Sequence, residues 1–331
     1  MMRTYCTLFD KNYLYQGVAL HRSLVRHAGE FRLYALCMDS TAHALLTRMG
    51  LDSLVPISVE ELLTPEIAAV RARTSHGQFC WVCQPLVCQF ILDKFGVDMV
   101  TYLESDSLFF SDPEVLFTEM GSKSATLVPH NFSAEFDNEA TAGKFCVQFN
   151  AFRNDVSARE ILGYWRQGCF KYDKSAPTVY PGQTCLDEWP QKYPSVCIIR
   201  HPGAGVAPWN IRGYEVSVIG STPHVNGLPV VFYHYHQYGR YKSGAHELGG
   251  YPMTRQVIDL FYRPYVSAIR EAEAAVRMVD PTFTHRREYA DNGTLADVLR
   301  SLSRDSVRQY LGVLKRKARR RYNVFSDAHF S

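Results

Sequence analysis

Apolar and polar positions alternate in the first hundred residues in a way that predicts strands and helices in turn. Arg3–Phe9 (RTYCTLF) has the β-branched and aromatic character of a strand. Leu14, Val18, His21 and Val25 follow at spacings of four, three and four, which predicts an amphipathic helix. Phe31–Met38 reads as a second strand, closed by Asp39-Ser40, where Ser40 is positioned to cap a helix over 41–49. A short strand at 54–57, helical patterns at 59–71 and 79–94, and a strand at 98–103 complete the run. Such a βαβα order implies a mainly parallel sheet with helices on both faces.

The second half is less regular. Strands are expected at 125–129 and 146–152 around the polar stretch 131–144, helices at 156–171 and within 183–192, and a late strand at 230–236 (VVFYHYH). Helical patterns at 251–278 and 294–319 close the chain. There is no internal repeat, so the expected organisation is a body over 1–250 and a C-terminal helical extension over 251–331.

Composition narrows the class. The 331 residues are 46% hydrophobic and 21% charged, which excludes disordered, collagenous and coiled-coil chains. No apolar run is long enough for a membrane span, and the first residues carry no pattern of a secretory signal. The nine cysteines are odd in number and lack framework spacing, as expected of reduced thiols in the cytoplasm. Cys80-x-x-Cys83, with His76 and Cys88 nearby, fits the buried side of a helix better than a zinc or redox site. The net charge is +3, but Lys315–Arg321 (KRKARRR) holds six basic residues, so the rest of the chain is mildly acidic at −3. That distribution speaks against nucleic acid as a partner. It fits a basic tail over 311–321 that meets the inner face of the plasma membrane peripherally.

In an open parallel sheet, ligands lie beyond the carboxyl ends of the strands. Three expected strands end in acids: Asp10, Asp39 and Glu104-Ser105-Asp106. Asp39 is explained by the helix start behind it. Glu104 and Asp106, two apart between apolar segments, repel unless a cation lies between them, and a divalent metal is the economical answer. His234 and His236 alternate on the late strand, so both point the same way. No glycine-rich dinucleotide fingerprint, Walker loop or G-x-S-x-G is present.

Several segments are similar, in order, to those of metal-dependent glycosyltransferases with the GT-A fold. YLESDSLFFSDP (102–113) resembles their D-x-D segment, and TYCTLFDKNYLYQGVALHRSL (4–24) their nucleoside-binding first strand and helix. HGQFCWVCQP (76–85), YPGQTCLDEWPQKYP (180–194) and HPGAGVAPWNI (201–211) resemble later blocks of bacterial family 8-like, retaining sugar-nucleotide transferases.

The resemblance implies an α/β fold with a Rossmann-like, mainly parallel mixed sheet. It also implies a UDP-sugar donor, Mn²⁺ or Mg²⁺, and a glycan, lipid-linked or protein acceptor in envelope polysaccharide or glycoconjugate synthesis. Metal ligands would be Glu104, Asp106 and His234, with His236 the adjacent alternative. Cys6, Thr7, Leu8 and Asp10 would hold the uracil and ribose, largely by backbone contacts, Arg240 or Lys242 would meet the diphosphate, and Arg73 and Ser105 would also contact the donor. Gln183 matches a glutamine near the anomeric carbon, and Asp187, one helical turn further on, is the second catalytic candidate. Were the transfer inverting, Glu135, Asp137 and Asp187 would be the available bases. Glu104 stands where the family usually has aspartate, Gln84 where it often has lysine, and Gly182 where it often has aspartate. These departures keep a rival open: a catalytically silent domain that binds a nucleotide sugar or a partner.

Overall fold

The computed structural model describes residues 2–175, 180–241, 244–284 and 323–330. Its main sheet runs β3 (Leu54–Ser58), β2 (Phe31–Cys37), β1 (Arg3–Phe9), β4 (Met99–Leu103), β8 (Phe149–Arg153), β6 (Ala125–Pro129) and β7 (Phe145–Cys146). A further strand, β9 (Val196–Ile198), lies parallel to β6. Strands β3, β2, β1 and β4 are mutually parallel, and β8 turns the sheet antiparallel. The result is a mixed sheet, mainly parallel in the half that carries the candidate ligands.

Both faces are covered, and the pleat of β1 shows why. Tyr5 and Phe9 join a core under α1 (Leu14–His27), α2 (Ser40–Met49) and the C-terminal helix Arg263–Val279. Cys6 and Leu8 point the other way, into a core under α4 (His76–Phe95) and the helix Val156–Cys169. Burying each large apolar side chain in these cores contributes roughly 1.5–3 kcal/mol. Gly17 lets α1 dock closely: a Cβ there would lie 2.2 Å from the Phe9 ring. α4 starts at a capping box between Ser75 and Gln78, ends at Gly96 in the left-handed region, and is apolar on most sides because it is wedged between the sheet and a second helix.

Several local expectations change. Val25 is 57% exposed, whereas Leu14, Val18 and His21 of the same expected stripe are buried. The cap of α2 is Asp39 itself, which accepts from Ala42 N at 2.8 Å while its other oxygen accepts from Lys11 N at 2.8 Å. Residues 59–71 split into a 3-10 turn, Val59–Leu62, and α3 (Pro65–Arg73), because Thr64-Pro65 is a cap followed by a helix-starting proline. The helix expected within 183–192 is three short turns, Pro181–Thr184, Cys185–Glu188 and Trp189–Lys192, the last with Pro190 in its first turn. The late strand shrinks to Phe232–His234 and leaves the main sheet, pairing antiparallel with β5 (Ser107–Phe109).

The helix Arg263–Val279 packs on α1 and shares the core of the first 250 residues. The helix expected at 294–319, with its basic run, lies outside the described residues. Among the described residues no helix is long and apolar enough to cross a membrane.

Candidate active site

A cleft of about 510 Å³ opens at the carboxyl edge of β1 and β4. Strand β1 delivers Leu8, Phe9 and Asp10; the turn after β4 delivers Glu104, Ser105 and Asp106; the strand Phe232–His234 delivers His234, with His236 just beyond. The pairing of His234 with Ser107 in register draws the late histidine to the acidic turn, and Tyr235 N donates to Asp106 O at 2.8 Å.

At the cleft floor, His234 Nε2 lies 3.1 Å from Asp106 Oδ1. The contact is ionic rather than a directed hydrogen bond, and Oδ1 is buried without a donor. His234 Nδ1 is 3.1 Å from Gln148 Oε1, which fixes the ring. Glu104 Oε1 accepts from Gln84 Nε2 at 2.8 Å and from Tyr102 OH at 3.3 Å.

Charge states follow from this packing. Burial, reinforced by the neighbouring Asp106 charge, pushes Glu104 up to about 8. Burial acts on Asp106 in the same sense, but the His234 charge outweighs it and holds Asp106 below the usual carboxylate range. Burial would lower His234, yet Asp106 raises it well above an ordinary imidazole. His236 is pushed down to about 4 by burial and by the His234 charge. Cys146, with its Sγ 4.0 Å from His234 Nδ1, would be raised by burial, but His130 and His234 bring it down to about 6.

These groups can be tested against a divalent cation. The orphaned buried oxygen of Asp106, a second acid two residues away and an imidazole make a donor set of the right hardness. Among the described residues, no three His, Cys, Asp or Glu side chains are already set to hold a metal by themselves. Glu104 is instead held by Gln84 and Tyr102.

Asp10 closes the other end. Its Oδ1 accepts from Asn12 N at 2.9 Å, and its Oδ2 from Asn12 Nδ2 at 2.7 Å and His76 Nε2 at 3.0 Å. Gln183 lines the cleft with its Nε2 given to Ala142 O at 2.6 Å, leaving the amide oxygen as its remaining polar atom.

Other expected contacts lie elsewhere. Cys6 and Thr7 are fully buried in β1, with Cys6 Sγ 3.7 Å from Cys88 Sγ, and neither lines the cleft. Arg73 ends α3 with its guanidinium on Phe170 O. Arg240 is turned away from the cleft into an ion pair with Glu273 of the C-terminal helix. Asp187 accepts from Lys144 N at 2.8 and 3.1 Å and so anchors the end of the 131–144 loop. Glu135 pairs with Arg212 at 2.9 Å, and Asp137 accepts from Glu139 N at 3.0 Å. Lys242 lies outside the described residues. Among the described residues lining the cleft, the carboxylates are Asp10, Glu104 and Asp106.

Gln84 and Gly182, which differ from the enzymes the sequence resembles, each have a place in the packing. Gln84 is the donor to Glu104. A Cβ at Gly182 would lie 2.6 Å from Cys169 Sγ and 2.8 Å from the Tyr172 ring, so the packing there requires glycine. Cys83 and Cys88 are core residues, whereas Cys80 reaches the cleft, its Sγ 3.9 Å from His76 Nε2. Trp209 proves central: its Nε1 donates to His130 O at 2.8 Å, and its ring meets His234 and His236 edge-on at 5.2 and 5.6 Å. Sequence reasoning missed Tyr13, Trp81, His130, Phe132, Tyr172 and Tyr251 of the lining. Aromatic residues near expected strand ends were the available signal for some of them, but the chain has too many such residues for it to select.

The sheet order and the cleft at this edge define the GT-A fold. A solved structure of the galactosyltransferase LgtC, in complex with donor and acceptor sugar analogs, superposes with a TM-score of 0.50 over 81% of this chain and 95% of that one, at 13% identity. Two uncharacterized proteins of Bacillus subtilis (strain 168) are similar in sequence. YfnD is 24% identical over 288 residues, 84% of this chain and 92% of YfnD. YfnF is 26% identical over 303 residues, 88% of this chain and 100% of YfnF. No family model matches the chain.

Proposed function

We propose that the protein is a metal-dependent glycosyltransferase. It would take a sugar from a UDP-sugar and hand it, with retention, to a glycan, lipid-linked or protein acceptor in bacterial envelope polysaccharide or glycoconjugate synthesis. One observation carries the reading: Asp106 and His234 meet at the carboxyl edge of a GT-A sheet, with Glu104 beside them and Gln183 in the same cleft. LgtC, which shares the fold, is a galactosyltransferase solved with donor and acceptor sugar analogs.

Asp106 and His234 would hold Mn²⁺ or Mg²⁺, with Glu104 as third ligand once released by Gln84; an imidazole in the set favours Mn²⁺. Bound there, the ion would supply Lewis-acid stabilisation of the charge that gathers on the leaving diphosphate. The chain's residues do the rest. Leu8, Asp10 and Ser105 bind the nucleoside end, and Lys242 is the basic residue proposed for the diphosphate. Trp81, Tyr172 and Tyr180 give the cleft an apolar wall that limits water beside the sugar. The described cleft carboxylates are then all committed to donor and cation, and a retaining transfer needs no further base. The acceptor oxygen bonds the anomeric carbon, the bond to the diphosphate oxygen breaks, and that oxygen takes the acceptor's proton. Gln183 would support the sugar through its amide oxygen. The 311–321 tail would bring the enzyme to the inner leaflet as a peripheral cytoplasmic protein.

The rival is a silent domain that binds a nucleotide sugar without turning it over. The hold of Gln84 and Tyr102 on Glu104 favours it. The test is UDP release from a panel of UDP-sugars with Mn²⁺. Release abolished by a chelator supports the transferase; metal-dependent binding without release supports the silent domain; absence of both overturns the pair.

A further inference from the structure

The segment after His236 folds back on itself before returning to the cleft. Gln237 turns the chain with φ at +68°, and Gly239–Arg240 then pairs antiparallel with His246–Glu247. The chain comes back at Tyr251, which lines the cleft and meets Phe136 edge-on at 5.2 Å. Two strands of two residues each do not hold themselves in water.

The last residues of the chain supply what is missing. Val324–Phe325 forms a third strand against His246–Glu247. Leu248 N donates to Asn323 O at 2.8 Å. Asn323 Nδ2 donates to Gly249 O at 3.1 Å and also to Tyr251 O. The Asp327 carboxylate accepts from His246 Nε2 at 2.8 Å and from Arg270 Nη2 at 2.8 Å. His246 Nδ1 is in turn 2.7 Å from Tyr238 OH, two residues past His236, and Phe330 is buried with its ring 5.1 Å from His246. Together these contacts tie residues 323–330 to a strap flanked by the cleft residues His236 and Tyr251.

We propose that residues 323–330 are a clasp that fixes the described strap segments 237–241 and 244–251, with Asn323 the positioning residue for Tyr251 and Asp327 for His246. The clasp's effect on ligand binding rests on reading the cleft as the nucleotide-sugar site. Its mechanical effect does not. Asn323 acts as a donor to two carbonyls, so aspartate, equal in size but without the N–H groups, is as damaging as alanine, while glutamine restores part of the hold.

The experiment compares full-length wild type with Asn323→Ala, Asn323→Asp, Asn323→Gln and Asp327→Asn by hydrogen exchange and by calorimetry with UDP and Mn²⁺. In the Ala and Asp variants, amides 248–251 should exchange at least about tenfold faster while β1 and β4 keep their protection. UDP affinity should fall by about tenfold, with partial recovery in Asn323→Gln. Unchanged exchange at 248–251 overturns the clasp, and faster exchange with unchanged affinity overturns its role in binding. If Asn323→Ala also loosens β1 and β4, Asp327→Asn decides by the same criteria. If wild type binds no UDP, the donor-site reading fails, and exchange alone decides the clasp.

Discussion

His234 Nε2 stands 3.1 Å from Asp106 Oδ1, and Gln148 Oε1 fixes the ring from its other nitrogen. His236 lies in the same cleft but is pushed down to about 4 by burial and by the His234 charge, so it is neutral. The account therefore separates the two histidines. His234→Ala should weaken Mn²⁺-dependent UDP binding by about a hundredfold, and His236→Ala by less than about tenfold, measured by calorimetry. Equal losses would contradict the assignment of His234 as the ligand.

Glu104 titrates in the wrong place for an ordinary carboxylate. Folding raises it from 4.5 to about 8, so the folded protein favours its protonated form. The resulting stabilisation is complete below the unfolded value and is lost as pH rises through the folded one. The thermal midpoint of the metal-free protein should carry a downward component between about pH 5 and 8, and Glu104→Gln should remove it. An unchanged pH profile in the variant contradicts this.

Gly182 does not accept a side chain without displacing its neighbours. Even the Cβ of Gly182→Ala would meet Cys169 Sγ at 2.6 Å. Urea unfolding should show a loss of about 1–3 kcal/mol. A variant as stable as wild type would mean that this corner of the cleft yields easily.

Gln183 and Asp187 should separate in their kinetics. Gln183→Ala should lower kcat by about tenfold to a hundredfold with donor KM little changed, as for a group that acts at the reacting carbon. Asp187→Asn loosens the anchor at Lys144 N and should raise the donor KM more than it lowers kcat. The reverse pattern would make Asp187 the catalytic group.

Much of this architecture was legible in the chain because its signals are local. The two-faced apolar pattern of β1, with Tyr5 and Phe9 opposite Cys6 and Leu8, announces a strand covered on both sides. Glu104-x-Asp106 stands out because acids directly after an apolar strand need a reason. What was not legible depends on partners far along the chain. Nothing near Arg240 says that Glu273 takes its guanidinium, and nothing near Asp187 says that Lys144 N will reach it. Val25 continues a helical period, but only a neighbouring element could bury it, and none arrives. The strand Val324–Phe325 is too short for any periodicity to declare.

The most direct test of the central claim is calorimetry of UDP and UDP-sugars, with and without Mn²⁺, on wild type and Asp106→Ala. The account predicts binding that requires the metal and is lost in the variant, with turnover reduced by at least about 10²–10³. Metal-independent binding, or equal binding by the variant, would reduce Glu104–Asp106 to a polar strand end and contradict the account.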